Sequence, residues 1–164
     1  MTAPRRGRLW KPVAVAALAA LCVAVLGALM TDLGPWYRGL VQPAWKPPDA
    51  AFGPIWTTIL ALAASAGVIG WRGAPRGGVR EWMLALFALN GFLNVLWSLL
   101  YFRLHRPDWS LIEVPFLWLS VLALVLLLVR VSRVAAVLLL PYLLWVAIAA
   151  VLNWETVRLN GPFR

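Results

Sequence analysis

Five long stretches of this chain carry almost no charge, and that pattern constrains the fold more than any other feature. Val13 to Met30, Phe52 to Trp71, Trp82 to Phe102 and Val134 to Trp154 contain no Asp, Glu, Lys or Arg, and Leu111 to Val129 contains only Glu113. Each run approaches the roughly 20 apolar residues that a helix needs to cross a bilayer core about 30 Å thick. Lipid offers backbone amides no partner, so a spanning segment must close its hydrogen bonds within itself, as a helix does. The apolar character is continuous instead of alternating, as spanning requires. The pattern predicts an all-α integral membrane protein, one five-helix transmembrane domain with spans near 13–30, 52–71, 82–102, 111–129 and 134–154. Composition agrees: 63% of residues are hydrophobic and 13% charged, against about 45–50% and 25% in soluble domains.

Arg5, Arg6, Arg8 and Lys11 ahead of an alanine-rich stretch resemble a secretory leader. The run that follows is longer than a leader core and precedes four others like it, so it reads as a retained first span. The net charge of +9 falls in small groups between apolar runs. A nucleic-acid face needs its basic residues clustered on one element, so no nucleic-acid partner is expected. Nine Lys/Arg flank the spans on the N-terminal side and six on the other, which favours a cytoplasmic N-terminus. Abundant Ala, Leu, Val and Arg point to a GC-rich bacterial source, hence a bacterial cell membrane. Cys22 and His105 are the only residues of their kinds, so an intramolecular disulfide or a zinc site of several Cys and His ligands is excluded. No metal or cofactor is expected. No Ser-His-Asp set, phosphate loop or carboxylate pair is present.

The connections are short except residues 31–51, TDLGPWYRGLVQPAWKPPDAA. Its four prolines (Pro35, Pro43, Pro47, Pro48) forbid a regular helix through it. A loop of that length in a compact protein is functional or disordered, and its large aromatics argue for an ordered cap over one end of the bundle. Arg130 to Arg133 is so short that the last two spans must lie antiparallel, side by side.

Of the 11 tryptophans, Trp10, Trp71, Trp82, Trp109 and Trp154 fall near span ends, where an interfacial belt is expected. Trp97, Trp118 and Trp145 lie deeper, and Trp56 sits one turn inside the second span. They line a cavity for a flat apolar ligand or are ordinary packing. The third span carries Asn90, Asn94, Trp97 and Tyr101 on one stripe, which must look inward, toward other helices or an open cavity. The fifth places Pro141, Trp145, Ala149 and Asn153 on a slowly drifting face, with Ala149 leaving room beside Trp145. Glu113, the only ionisable residue within a span, has either an internal contact or interfacial water within reach. His105, between Arg103 and Arg106, reads as an exposed loop histidine.

Three groups of residues resemble one known family. Trp36-Tyr37-x-x-Leu40-x-x-Pro43-x-Trp45-x-Pro47-Pro48 leads into Gly53-Pro54-Ile55-Trp56. Asn94-x-x-Trp97 follows in the third span, and Pro141-Tyr142-Leu143-x-Trp145-x-x-x-Ala149-x-x-Leu152-Asn153 in the fifth. In combination and order they are similar to the tryptophan-rich sensory protein and mitochondrial translocator protein family, also called the peripheral-type benzodiazepine receptor.

The resemblance implies five helices around a pocket, with the first loop as its lid. It implies binding of porphyrins and benzodiazepine-site ligands, sterols in some members, and a homodimer. Carried over, the pocket wall comprises Trp56, Asn94, Trp97, Trp109, Trp145, Ala149 and Leu152, and the lid Tyr37, Trp45 and Pro47. Glu113 falls where relatives also place an acid. Two positions depart. Trp154 stands where the sterol motif has tyrosine, leaving that motif incomplete and sterol binding in doubt. Asn90 replaces a common glutamine but keeps the amide. The expected role is a sensor or transporter of tetrapyrroles in the membrane, with Arg38 and Lys46 meeting ligand carboxylates. The alternatives are light- or oxidant-dependent porphyrin breakdown, with Trp56 and Trp145 as the redox pair, and a regulatory scaffold without turnover.

Overall fold

The computed structural model describes residues 10–163; the basic cluster Arg5, Arg6 and Arg8 lies outside them. Within them the chain forms helices α1 (Lys11–Met30), α2 (Pro35–Gly39), α3 (Asp49–Gly73), α4 (Gly78–Ser98), α5 (Pro107–Val129) and α6 (Arg133–Asn160). A π-helical turn, Leu99–Arg103, extends α4. All but α2 are long and apolar enough to cross a membrane, so the five predicted spans are present and no strand occurs among the described residues.

Local chemistry explains the boundaries. Proline occupies the first turn of α1, α2 and α5, where its missing N–H would be unpaired in any case. Ser132 caps α6 by accepting from the Ala135 amide at 3.3 Å, and the preceding turn closes through the Ser132 amide donating to the Leu128 carbonyl at 2.7 Å. The tight turn sets α5 and α6 antiparallel. Pro54, Pro115 and Pro141 lie inside helices, a position that packed neighbours make tolerable in membranes.

The five long helices close into a ring. α1 packs on α3 and α4, α3 on α6, α6 on α5, and α5 on α4. α5 is the most buried, with Val121, Leu124 and Leu128 fully enclosed against Leu139 and Ala135 of α6. α1 buries no residue and presents its long outer face to lipid. Polar side chains cross between helices: Asn90 donates to Ser120 at 2.9 Å, Asn94 to Tyr142 at 3.1 Å, and Tyr101 to Thr156 at 3.3 Å. The stripe Asn90, Asn94, Trp97 and Tyr101 thus faces the interior, as its spacing requires.

Gly70 shows how tightly α3 meets its neighbours. A Cβ built there lies 2.4 Å from Leu128 Cδ2 and 2.8 Å from Met83 Cε, whereas at Gly67 the nearest atom, on Phe87, is 3.5 Å away. Gly70→Ala is expected to destabilise the fold by about 1–3 kcal/mol relative to Gly67→Ala, the cost of overpacking a filled core. Melting temperatures of both variants in one detergent check this; equal values refute the close packing at Gly70.

Candidate ligand cavity

At one end of the ring the segment between α1 and α3 folds over the bundle. α2 lies across the opening, and the segment is fastened at several points. Trp36 stacks on His105 with ring centroids 4.1 Å apart, and His105 holds a left-handed backbone at φ 55°. The Tyr37 ring packs on Phe102 at 5.6 Å, and its hydroxyl donates to Asp49 Oδ1 at 2.9 Å. Burial, with the Asp49 carboxylate beside it, pushes the Tyr37 hydroxyl well above the usual tyrosine range, so it remains a proton donor at any physiological pH. Asp49 also pairs with Lys46. Val41 is clipped to the far end of the chain: its amide donates to Asn160 Oδ1 at 2.7 Å, and Asn160 Nδ2 donates back to its carbonyl at 2.9 Å.

Beneath this lid lies a cavity of about 120 Å³. Its floor and walls come from α3 (Phe52, Trp56), α4 with its π turn (Asn94, Trp97, Tyr101), α5 (Val114, Leu117) and α6 (Trp145, Ala149, Leu152). Its mouth is polar, with Gln42, Lys46 and Asp49. The lining aromatics pair with neighbouring rings: Trp97 stacks on Tyr101 at 5.0 Å, Phe52 meets Trp145 edge-on at 5.7 Å, and Trp56 meets Tyr142, behind the wall, edge-on at 6.0 Å. Such a chamber offers flat apolar faces below and charge above. Among the described residues no three His, Cys, Asp or Glu side chains gather to hold a metal.

Six of the seven pocket positions named from the sequence come together here: Trp56, Asn94, Trp97, Trp145, Ala149 and Leu152. Trp109 does not. It is 47% exposed, away from the cavity, with the Arg106 guanidinium 4.1 Å above its ring. Its place near the helix start suits the interfacial belt, which the sequence also indicated. Of the lid residues, Tyr37 borders the cavity, while Trp45 is half-exposed and Pro47 sits partly buried in the lid without lining the chamber. Arg38 is exposed and does not line the cavity, so Lys46 alone supplies the mouth's positive charge. Pro141 points outward, the end of the drift along α6. Glu113 is buried, and neither of its oxygens has a partner. Asp49, Gln42 and Phe52 are cavity residues the sequence did not single out; an acid three residues after Lys46 was the available signal for the first.

Residues 14–159 match the TspO/MBR family. The chain belongs to that family. It is 37% identical to the tryptophan-rich protein TspO of Chlorobaculum tepidum, an alignment covering 85% of this chain and 91% of that protein. It is 34% identical to protein CrtK of Rhodobacter capsulatus, covering 90% and 91%. With the human translocator protein it shares 31% identity over 79% of this chain and 77% of the human one. The family resemblance drawn from the tryptophan and proline motifs is therefore correct.

The clip on Val41 is the lid's most distant tether. Asn160→Ala removes the two exposed hydrogen bonds to Val41 and a third to the Thr156 carbonyl, each worth about 0.5–1.5 kcal/mol, and is expected to speed amide exchange at Val41 and its lid neighbours without altering α5. Hydrogen exchange followed by mass spectrometry checks it; unchanged lid protection would show that the clip does not hold the lid.

Proposed function

We propose that this chain is a membrane sensor or transporter that takes tetrapyrroles, porphyrins foremost, and related flat apolar ligands into the cavity beneath the lid. The observation that carries this reading is the chamber's division into aromatic walls and a charged mouth. Indole faces suit a flat macrocycle, and the Lys46 ammonium, released from Asp49 as the lid lifts, suits a carboxylate on its rim. The sensory and translocator roles in the names of family members support the same assignment. The closed chamber, about 120 Å³, is below the roughly 300–1,000 Å³ of ligand pockets, so uptake requires the lid to lift. Its fastenings at Val41 and Lys46 are exposed polar contacts, the kind that open locally at low cost.

The border positions of Trp56 and Trp145 favour a second reading, in which the pair carries light- or oxidant-dependent breakdown of a bound porphyrin. A homodimer within a bacterial cell membrane, joined through apolar outer faces, belongs to the same proposal.

Titrating protoporphyrin into the detergent-solubilised protein, with tryptophan emission as the readout, is expected to give saturable quenching; a linear response equal to that of empty micelles overturns the assignment. Ala149→Thr fills the space beside Trp145. It is expected to weaken binding by roughly 5- to 150-fold, the equivalent of about 1–3 kcal/mol of overpacking, at a nearly unchanged melting temperature. Under illumination a receptor yields no product beyond the no-protein control, whereas an enzyme yields it in excess over protein and loses that turnover in Trp145→Phe.

A further inference from the structure

Among the described residues, five buried side-chain polar atoms have no hydrogen-bond partner: Gln42 Nε2, Trp97 Nε1, Trp145 Nε1 and the two carboxyl oxygens of Glu113. All three nitrogens belong to residues that line the cavity, and Glu113 does not line it. An indole N–H and an amide NH₂ are donors only, and leaving a donor unmatched in an apolar interior is costly. Apart from Gln42, the hydroxyl, amide and charged side chains on the cavity wall are each engaged within the protein, as Asn94 is with Tyr142 and Lys46 with Asp49. Three uncommitted donors therefore belong to residues that line one chamber.

We infer that the cavity selects ligands carrying carbonyl or carboxylate oxygens, with Trp97, Trp145 and Gln42 as its specificity-determining donors. Trp97 and Trp145 stand on α4 and α6, either side of α5, and receive oxygens that enter between the walls. Gln42 belongs to the lid, so its bond forms only as the lid docks, and a ligand with an oxygen at that level also favours closure. A flat hydrocarbon of the same size fills the chamber but leaves the three donors unmatched. The inference deepens the tetrapyrrole reading and rests on the same cavity.

Two ligand pairs test it on the full-length protein in detergent, by equilibrium dialysis with empty micelles subtracted. Protoporphyrin dimethyl ester carries carbonyl oxygens without charge, and octaethylporphyrin carries no oxygen. Anthraquinone and anthracene form the corresponding small pair. In each pair the oxygen-bearing member is expected to bind at least tenfold tighter, the effect of about two hydrogen bonds. Trp97→Phe and Trp145→Phe keep a flat ring without the donor and should each bring the ratio toward threefold or less. Gln42→Leu, on the lid and outside the bundle core, should lower it too and guards against misfolding of the tryptophan variants. Equal binding within the anthraquinone pair, binding by neither member, or a ratio untouched by all three substitutions overturns the inference. Failure of both porphyrins while anthraquinone keeps its advantage overturns the tetrapyrrole reading and leaves the donor set standing.

Discussion

Hydrocarbon supplies no hydrogen-bond partner, and the arrangement of the bundle depends on that. The long helices are apolar on nearly every side, so lipid itself gives little reason for one face to turn inward. The few polar side chains supply it. Asn90 reaches Ser120, Asn94 reaches Tyr142, Tyr101 reaches Thr156, and Ser110 meets Asn153 at 3.0 Å. Such contacts average only about 0.6 kcal/mol in membrane proteins. Their effect is on rotation more than on stability, because turning any of these helices outward strands an amide or hydroxyl in lipid. With α4, α5 and α6 fixed in rotation, the positions of Trp97, Trp145 and Ala149 around the chamber follow.

The lid obeys a different solvent. Its contacts are ring stacking, an ion pair and backbone hydrogen bonds, all at the edge of the bundle, where water competes for them. The core beneath, by contrast, is filled to the point that a methyl group at Gly70 would displace the side chains of Leu128 and Met83. The two halves therefore differ in stiffness: a rigid, close-packed end built on α5 and α6, and a fastened but separable cover at the cavity.

The spans were legible because charge vanishes over four of them and is reduced to Glu113 in the other, yet every predicted helix began late. The helices run through Asp49, Glu81 and Asp108 at their starts, since the acid that marks the end of an apolar run also favours the first turn of a helix. At the other end α6 continues to Asn160 instead of stopping at Trp154, helped by Arg158 donating to Glu155 at 2.6 Å. Helix length and hydrocarbon thickness are separate quantities, and hydropathy reads only the second. In the cavity, the tryptophans and Ala149 were legible from spacing and family motif. Trp109 lies outside the cavity because successive helix positions are turned by about 100°: Ser110 is fully buried while Trp109 looks out. The π turn at Leu99–Arg103 carries neither proline nor glycine and left no mark in the sequence. Gln42 gave no pattern at all, since its role depends on a loop laid over helices distant in the chain.

The pairing of Val41 with Asn160 links residues 119 positions apart. A growing chain emerges at about 5–20 residues per second, so Asn160 follows Val41 after roughly 6–24 s. Throughout that interval the first loop has no anchor on the last helix, and the chamber has no α6 wall either. The aromatic interior thus lacks its α6 wall and the last fastening of its lid until the end of synthesis. Biogenesis itself offers a window in which a bulky guest meets an unfinished chamber.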